Sequence, residues 1–209
     1  MGHNRRCRTI VYVKAGIYHE KMEIGRDLKN VMFVGDGIDR TIVTGNKNVV
    51  DGVSQPHLVS LVMVFCARDM TFENTAGPHK HQAVALSVSS GLSVFYHCSF
   101  KGYQDTLLAH SLRQFYRDCH VYGTVDFIFG DAVAVLQNCD IFRGDLALST
   151  LYYGEFMNIG SGASTTGRVQ WPGFLVLHDF HEASPFTVRN FIQGHVWLPA
   201  TGVPFSADI

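Results

Sequence analysis

Three short segments, VFYHCSF around Cys98, QFYRDCHVY around Cys119 and VLQNCDIF around Cys139, set a cysteine among aromatic and apolar residues at intervals of 21 and 20 residues. A fourth, FCARDMTFENT, repeats the look one longer interval upstream, with Phe72 lying 28 residues before Phe100. Short β-rich runs at near-constant intervals, cut by Gly, Asn and Asp, are the mark of a solenoid. Helical repeats of this length would need long amphipathic runs at a period of 3.6, and the chain has none. The expected fold is therefore all-β: a right-handed parallel β-helix with one coil per repeat. A β-sandwich with coincidental spacing is the competing arrangement.

The chain has 209 residues, of which 46% are hydrophobic, enough to bury one sizeable core. A single domain over 1–209 is expected, with a disordered N-terminus over 1–10 and a C-terminal segment, 144–209, packed on the solenoid. The 17 Lys and Arg nearly balance the 18 Asp and Glu, which argues against a nucleic-acid partner held by a broad basic surface. No window reaches the roughly 18 apolar residues of a membrane span. The start, MGHNRRCRTIVYVKAG, lacks the apolar run and cleavage site of a secretory signal, and Arg6 stands where myristoylation wants Ser or Thr.

In a coil stack, residues one repeat apart sit on neighbouring strands about 4.8 Å apart. Asp105 and Asp126 are 21 residues apart, and Gln82, Gln104 and Asp126 follow one another at steps of 22. Two carboxylates and two carboxamides thus fall together on three successive coils. Carboxylates held that close cannot both ionise cheaply, so one pKa rises and the pair divides into an acid and a base or nucleophile. Glutamine amides are donors to an oxyanion. The set suits acyl transfer; the plainer alternative makes the aspartates turn residues and the glutamines a polar ladder.

Cys98, Cys119 and Cys139 fall in one column by the same reasoning. A Cys98–Cys119 disulfide and a ladder of buried free thiols both remain open, with Cys7 and Cys66 outside the column and the odd total of five leaving at least one thiol unpaired in the chain. GDGIDR lacks a following Gly-Lys-Ser/Thr and reads as a β-turn. HKH from His79 offers two imidazoles and no third ligand, so no metal site is expected. PHKHQ adds a little local positive charge. Trp171 and Trp197 are expected to pack the C-terminal segment onto the solenoid.

The strings HQAVAL from His81, GYQDTL from Gly102, YGTVDFIFG from Tyr122, TLYYGEFMN from Thr150, RVQWPGF from Arg168 and FIQGHVWLPATGVPF from Phe191 resemble plant-type pectin methylesterases. VYVKAGIYHE, VGDGIDRTIVTGN and TFENTAGPHKHQAVAL do so as well, so the likeness runs from about Val11 to the C-terminus. The resemblance implies hydrolysis of the methyl esters of galacturonate units in pectin, without metal or organic cofactor. It implies a secreted, cell-wall location and a proteinaceous pectinesterase inhibitor as a partner. Carried over residue by residue, it makes Asp126 the nucleophile, Asp105 the proton donor and later base, and Gln104 and Gln82 the oxyanion stabilisers. Thr75 and Gln82 match substrate-binding positions; Tyr103 and Phe129, flanking the acids, are further candidates to face a sugar, with core packing the alternative for Phe129.

The chain departs from the family at Val53 to Cys66 and lacks the family's early segments. More consequentially, NCDIF joins GDLALSTLYYGE directly near Arg143 and Gly144, where plant members carry further coils and a Leu-Gly-Arg-Pro-Trp motif. The arginine that holds the nucleophilic carboxylate and the tryptophan that lines the sugar cleft have no counterpart. Two functions of different class follow: an active aspartyl esterase, or a catalytically silent member that binds pectin. A polygalacturonase or lyase on the same fold is a weaker third, because paired glutamines suit acyl chemistry better.

Overall fold

Every strand pairing among the described residues is parallel. The computed structural model describes residues 8–25, 28, 30–62, 64–143, 153–157, 164–166 and 174–209. The first coil carries β1 (Thr9–Tyr12), β2 (Gly16–His19) and β3 (Met22–Ile24). The second carries β4 (Val31–Val34), β5 (Thr41–Gly45) and β6 (His57–Leu61). In the third, one long strand β7 (Phe65–Asn74) spans two sides, followed by β8 (Val84–Val88); the fourth repeats this with β9 (Ser93–Lys101) and β10 (Leu107–Ala109). The fifth splits again into β11 (Arg113–Arg117), β12 (His120–Gly123) and β13 (Ile128–Phe129), and the sixth shows β14 (Val133–Gln137) and β15 (Asp140–Arg143).

Strands of like position pair up the stack, in the order β1-β4-β7-β9-β11-β14 on one side and β3-β6-β8-β10-β13 on another. This is a right-handed parallel β-helix, and the sandwich alternative fails because no strand pair among the described residues is antiparallel. Strand β1 begins at Thr9, so the disorder expected over 1–10 does not extend to residues 9 and 10; residues 1–7, with Cys7, lie outside the described residues.

Alternation along each strand sends one set of side chains inward, and the registers stack them in columns. Val43, Phe72, Phe100 and Val121 form one such column. Phe72 and Phe100 lie parallel with ring centroids 6.0 Å apart, and Phe95 and Tyr116 likewise at 5.0 Å. The Tyr116 hydroxyl donates to Gln114 Oε1 at 2.6 Å, and Gln114 Nε2 donates to the Val88 and Ser111 carbonyls at 2.9 Å. A buried phenol and carboxamide are thereby satisfied inside an otherwise apolar core. At one corner Asp69, His97, Asp118 and Asn138 repeat a left-handed backbone, with φ of 58°, 50°, 51° and 55°. Asp and Asn tolerate this conformation better than most residues, which helps explain the Asn and Asp punctuation of the repeat.

The cysteine column is real, but its thiols are free. Cys98 and Cys119 are fully buried, Cys139 is half-buried, and Cys66 is a separate buried thiol. The bridge considered between Cys98 and Cys119 is therefore corrected to a thiol ladder, in which the Cys119 N–H donates to Cys139 Sγ at 3.4 Å. In-register parallel strands hold like-pointing Cβ atoms about 4.8 Å apart, beyond the roughly 3.5–4.5 Å that a disulfide spans.

Beyond the sixth coil, β16 (Tyr153–Glu155) pairs with β17 (Phe174–Val176). Three short helices follow: α1 (Phe180–Ala183), α2 (Val188–Phe191) and α3 (Gly194–Trp197). The Asp179 and Thr187 side chains cap α1 and α2 by accepting from the Glu182 and Asn190 N–H groups. Val188, Ile192, Leu198 and Val203 pack on Met32, Cys66, Val94 and Phe115, covering the outer face of β4, β7, β9 and β11. Trp197 joins this second cluster and its Nε1 donates to the Ile192 carbonyl at 3.0 Å, whereas Trp171 lies outside the described residues.

Candidate active site

The corner that follows β7, β9 and β12 gathers the residues that the spacing singles out. Backbone hydrogen bonds set their register: the Val49 N–H donates to the Gln82 carbonyl at 3.1 Å and the Ala83 N–H to the Gln104 carbonyl at 3.3 Å. The Asp105 N–H donates to the Val125 carbonyl at 3.0 Å, and the Leu107 N–H to the Phe127 carbonyl at 2.8 Å. Gln82, Gln104 with Asp105, and Asp126 thus occupy three consecutive coils. Asp105 and Asp126 both have left-handed backbones, φ 66° and 47°. They are turn residues and neighbouring carboxyls at once, so the two alternatives of the sequence reading are not exclusive.

Their environments differ. Asp105 is buried while Asp126 is exposed. Burial, and then the charge of Asp126, raise the Asp105 carboxyl from 3.8 to about 6, against a hydrogen bond from Gln104 that pulls it down. Desolvation penalises the charged form, and a second carboxylate nearby adds to that penalty. The pair is therefore divided: a group able to carry a proton at mildly acidic pH beside a solvent-facing carboxyl. Among the described residues no lysine or arginine forms an ion pair with Asp126.

Around the acids, Tyr103 is 39% exposed and its carbonyl accepts from the Thr124 N–H at 2.8 Å. In β13, Ile128 packs on the core and leaves Phe129, its neighbour on the opposite face, half-exposed. Thr75 is exposed, and both its N–H and its hydroxyl donate to the Gly45 carbonyl, at 2.7 and 3.1 Å. A cleft of about 520 Å³, lined by His19, Lys21, Asn46, Lys47, Leu58 and Thr75 among others, continues this corner toward the first coils.

Two buried supports escaped the sequence reading. Asn74 Nδ2 donates to the Lys47 and Val84 carbonyls at 2.8 and 3.3 Å, tying the loop before Thr75 to neighbouring coils. Thr106, beside Asp105 and fully buried, shares its hydroxyl between the Tyr122 and Tyr103 carbonyls at 3.0 and 3.3 Å. Only the position of Thr106 next to the acid in QDT hinted at it. Gly123 completes the floor: a Cβ there would lie 2.1 Å from Phe127 Cβ and 2.7 Å from Thr106 Oγ1, so only glycine fits without displacement. Among the described residues no group of three or more His, Cys, Asp or Glu is arranged to hold a metal ion, and no helix is long and apolar enough to cross a membrane.

A family model described as Pectinesterase matches residues 1–143 and 142–195. "Probable pectinesterase/pectinesterase inhibitor 36" of Arabidopsis thaliana is 50% identical over 291 aligned positions, which cover 100% of this chain and 56% of that protein. Pectinesterase 2 of Citrus sinensis is 42% identical over 283 positions, covering 97% of this chain and 55% of its own length. Among solved structures, a pectin methylesterase from carrot superposes with a TM-score of 0.87 at 37% identity, covering 100% of this chain and 91% of that one. The chain spans about half the length of the curated relatives that it matches. Alignments longer than the chain's 209 residues, and a family match broken at 142–143, put the shortening at the end of β15.

Proposed function

Because the chain belongs to the pectinesterase family, we propose that it hydrolyses the methyl esters of galacturonate units in pectin, releasing methanol, through an acyl-enzyme on Asp126. The observation that carries this reading is the divided acid pair, with Asp105 raised to about 6 beside the exposed Asp126.

An Asp126 carboxylate oxygen attacks the ester carbonyl carbon, and the carbonyl oxygen becomes an oxyanion stabilised by the Gln82 and Gln104 side-chain amides. Collapse of this intermediate breaks the bond to the methoxy oxygen, which takes the Asp105 proton and leaves as methanol. A mixed anhydride between Asp126 and the sugar carboxyl remains. Asp105, now charged, removes a proton from water as that water attacks the anhydride, returning Asp126 as a carboxylate and Asp105 as the acid. Thr75, Tyr103 and Phe129 contact the sugar chain, which lies along the corner that ends in the cleft beside Thr75. The protein acts in the plant cell wall, as the family resemblance implies, and a proteinaceous pectinesterase inhibitor is a partner of the same face.

One observation favours a second reading. Asp126 has no cationic partner among the described residues, so nothing there fixes its carboxylate for attack. A chain of this kind that binds pectin and leaves its esters intact is the alternative. Methanol release from highly methylated pectin separates the two: the esterase releases methanol and Asp126→Asn abolishes it, whereas the silent protein gives no more than that variant does. Shortening of the uronide chain would instead make the protein a depolymerase.

A further inference from the structure

The two acid-bearing turns are built alike. Each opens on a glycine and reaches an aspartate with a left-handed backbone three residues later: Gly102 to Asp105, and Gly123 to Asp126. Thr106, with no exposed surface, lies between those two glycines. A Cβ on either would stand 2.7 Å from Thr106 Oγ1, so glycine in both turns is what lets this side chain in. The Thr106 hydroxyl is shared between the carbonyl of Tyr103, inside the first turn, at 3.3 Å and that of Tyr122, which leads into the second, at 3.0 Å. The same two carbonyls accept the backbone bonds that cross between the turns, from the Thr124 N–H at 2.8 Å and the Gly102 N–H at 3.3 Å. On its other side the Thr106 carbonyl accepts from the Ala85 and Leu86 N–H groups, at 2.9 and 3.2 Å. One residue thus joins the coil of Gln82 to the coils of Asp105 and Asp126.

We infer that Thr106 is a positioning residue for the ester hydrolysis: its hydroxyl braces the two turns and so sets the separation of the Asp105 and Asp126 carboxyls. This rests on the acid and nucleophile roles proposed above. Contact distances carry the argument. A carbonyl oxygen has two lone pairs, so Tyr103 and Tyr122 each take the hydroxyl and a backbone N–H together. With a methyl in place of the hydroxyl, carbon must stand about 3.3–3.6 Å from those oxygens, and the carbonyls lose a buried donor. The turns then part. Asp126 attacks the carbon of an ester group whose methoxy oxygen takes the Asp105 proton, so the two carboxyls must fit one ester at once. A misplacement of about 1 Å between reacting groups costs on the order of 10²-fold in rate. The same parting weakens the influence of the Asp126 charge on Asp105 and loosens the burial around it, and both changes lower the Asp105 pKa.

Thr106→Val keeps the volume and removes the hydroxyl, whereas Thr106→Ser keeps the hydroxyl and removes the methyl. Two readouts on the full chain separate positioning from packing: the Asp105 carboxyl carbon titrated by NMR, and kcat and KM for methanol release from highly methylated pectin. In Thr106→Val the Asp105 pKa should fall below its wild-type value. Its kcat should drop about tenfold or more while KM stays within about twofold, because the buried Thr106 side chain does not touch the substrate. Thr106→Ser should restore the pKa and most of kcat, even where the missing methyl lowers the thermal midpoint. An Asp105 pKa unmoved in Thr106→Val overturns the inference whatever the rate does. So does a Thr106→Ser variant as impaired as Thr106→Val, which would assign the effect to packing. If circular dichroism shows Thr106→Val unfolded, Thr106→Ala against Thr106→Ser makes the same comparison without and with the hydroxyl. A wild-type chain that releases no methanol would remove the esterase reading, and the NMR titration would still decide whether Thr106 braces the acid pair.

Discussion

Asp126 sits one coil beyond Asp105, and its charge adds to burial in raising the Asp105 carboxyl to about 6. The solvent-facing member thus tunes the buried one. Asp126→Asn keeps the shape and removes the charge, so the pKa of Asp105 should fall while burial keeps it above 3.8. The carboxyl carbon of Asp105, followed by NMR against pH, checks the shift. Methanol release should drop by on the order of 10⁴-fold or more, as when a covalent nucleophile is removed.

A raised carboxyl also carries a stability cost with a definite sign. Folded Asp105 keeps its proton up to about 6, whereas the unfolded chain releases it near 3.8. Between these values the folded protein binds more protons, so stability falls as pH rises and the full cost is present above about 6. Asp105→Asn should therefore stabilise the protein at neutral pH by about 1–2 kcal/mol, less than the shift alone implies because water and relaxation soften it. Well below the unfolded value it should gain nothing. Denaturant midpoints measured at both pH values decide this, while methanol release is lost at either.

Gln104 has two effects that can be separated. As an oxyanion donor, its loss in Gln104→Ala should lower kcat on the order of 10²- to 10³-fold. As the donor that holds the Asp105 pKa down, its loss should also raise that pKa further. Gln82→Ala should reproduce the first effect without the second, since Gln82 is not among the groups that shift Asp105. Steady-state rates as a function of pH for the two variants test the difference.

Gly123 links packing to the site. In Gly123→Ala the new methyl would meet Phe127 and Thr106, so the turn holding Asp126 must move. Destabilisation of about 1–3 kcal/mol, the usual cost of overpacking, should accompany a loss of kcat. Thermal denaturation and methanol release on the same sample would show both; a fall in stability with unchanged kcat would mean that the turn absorbs the methyl without moving the acid.

Much of this was legible in the chain itself, for a geometric reason. With one coil per repeat, a spacing of about 21 residues becomes a lateral step between neighbouring strands, so Asp105 and Asp126, or Cys98, Cys119 and Cys139, could be placed side by side by counting. The inward columns of Phe72, Phe100 and Val121 follow from the same count combined with alternation. What counting could not supply was environment. Whether Cys98 and Cys119 bridge depends on Cβ vectors, which parallel register holds alike and too far apart. Which of Ile128 and Phe129 faces the core, why Thr106 and Asn74 are buried supports, and how far burial raises Asp105 depend on atoms brought from other coils. The exposure of Ile141, in the same column as the fully buried Val121, is decided by a coil that the described β-helix does not go on to form. Sequence spacing fixed the neighbours along the stack; desolvation, a property of everything packed around a residue, was settled only in three dimensions.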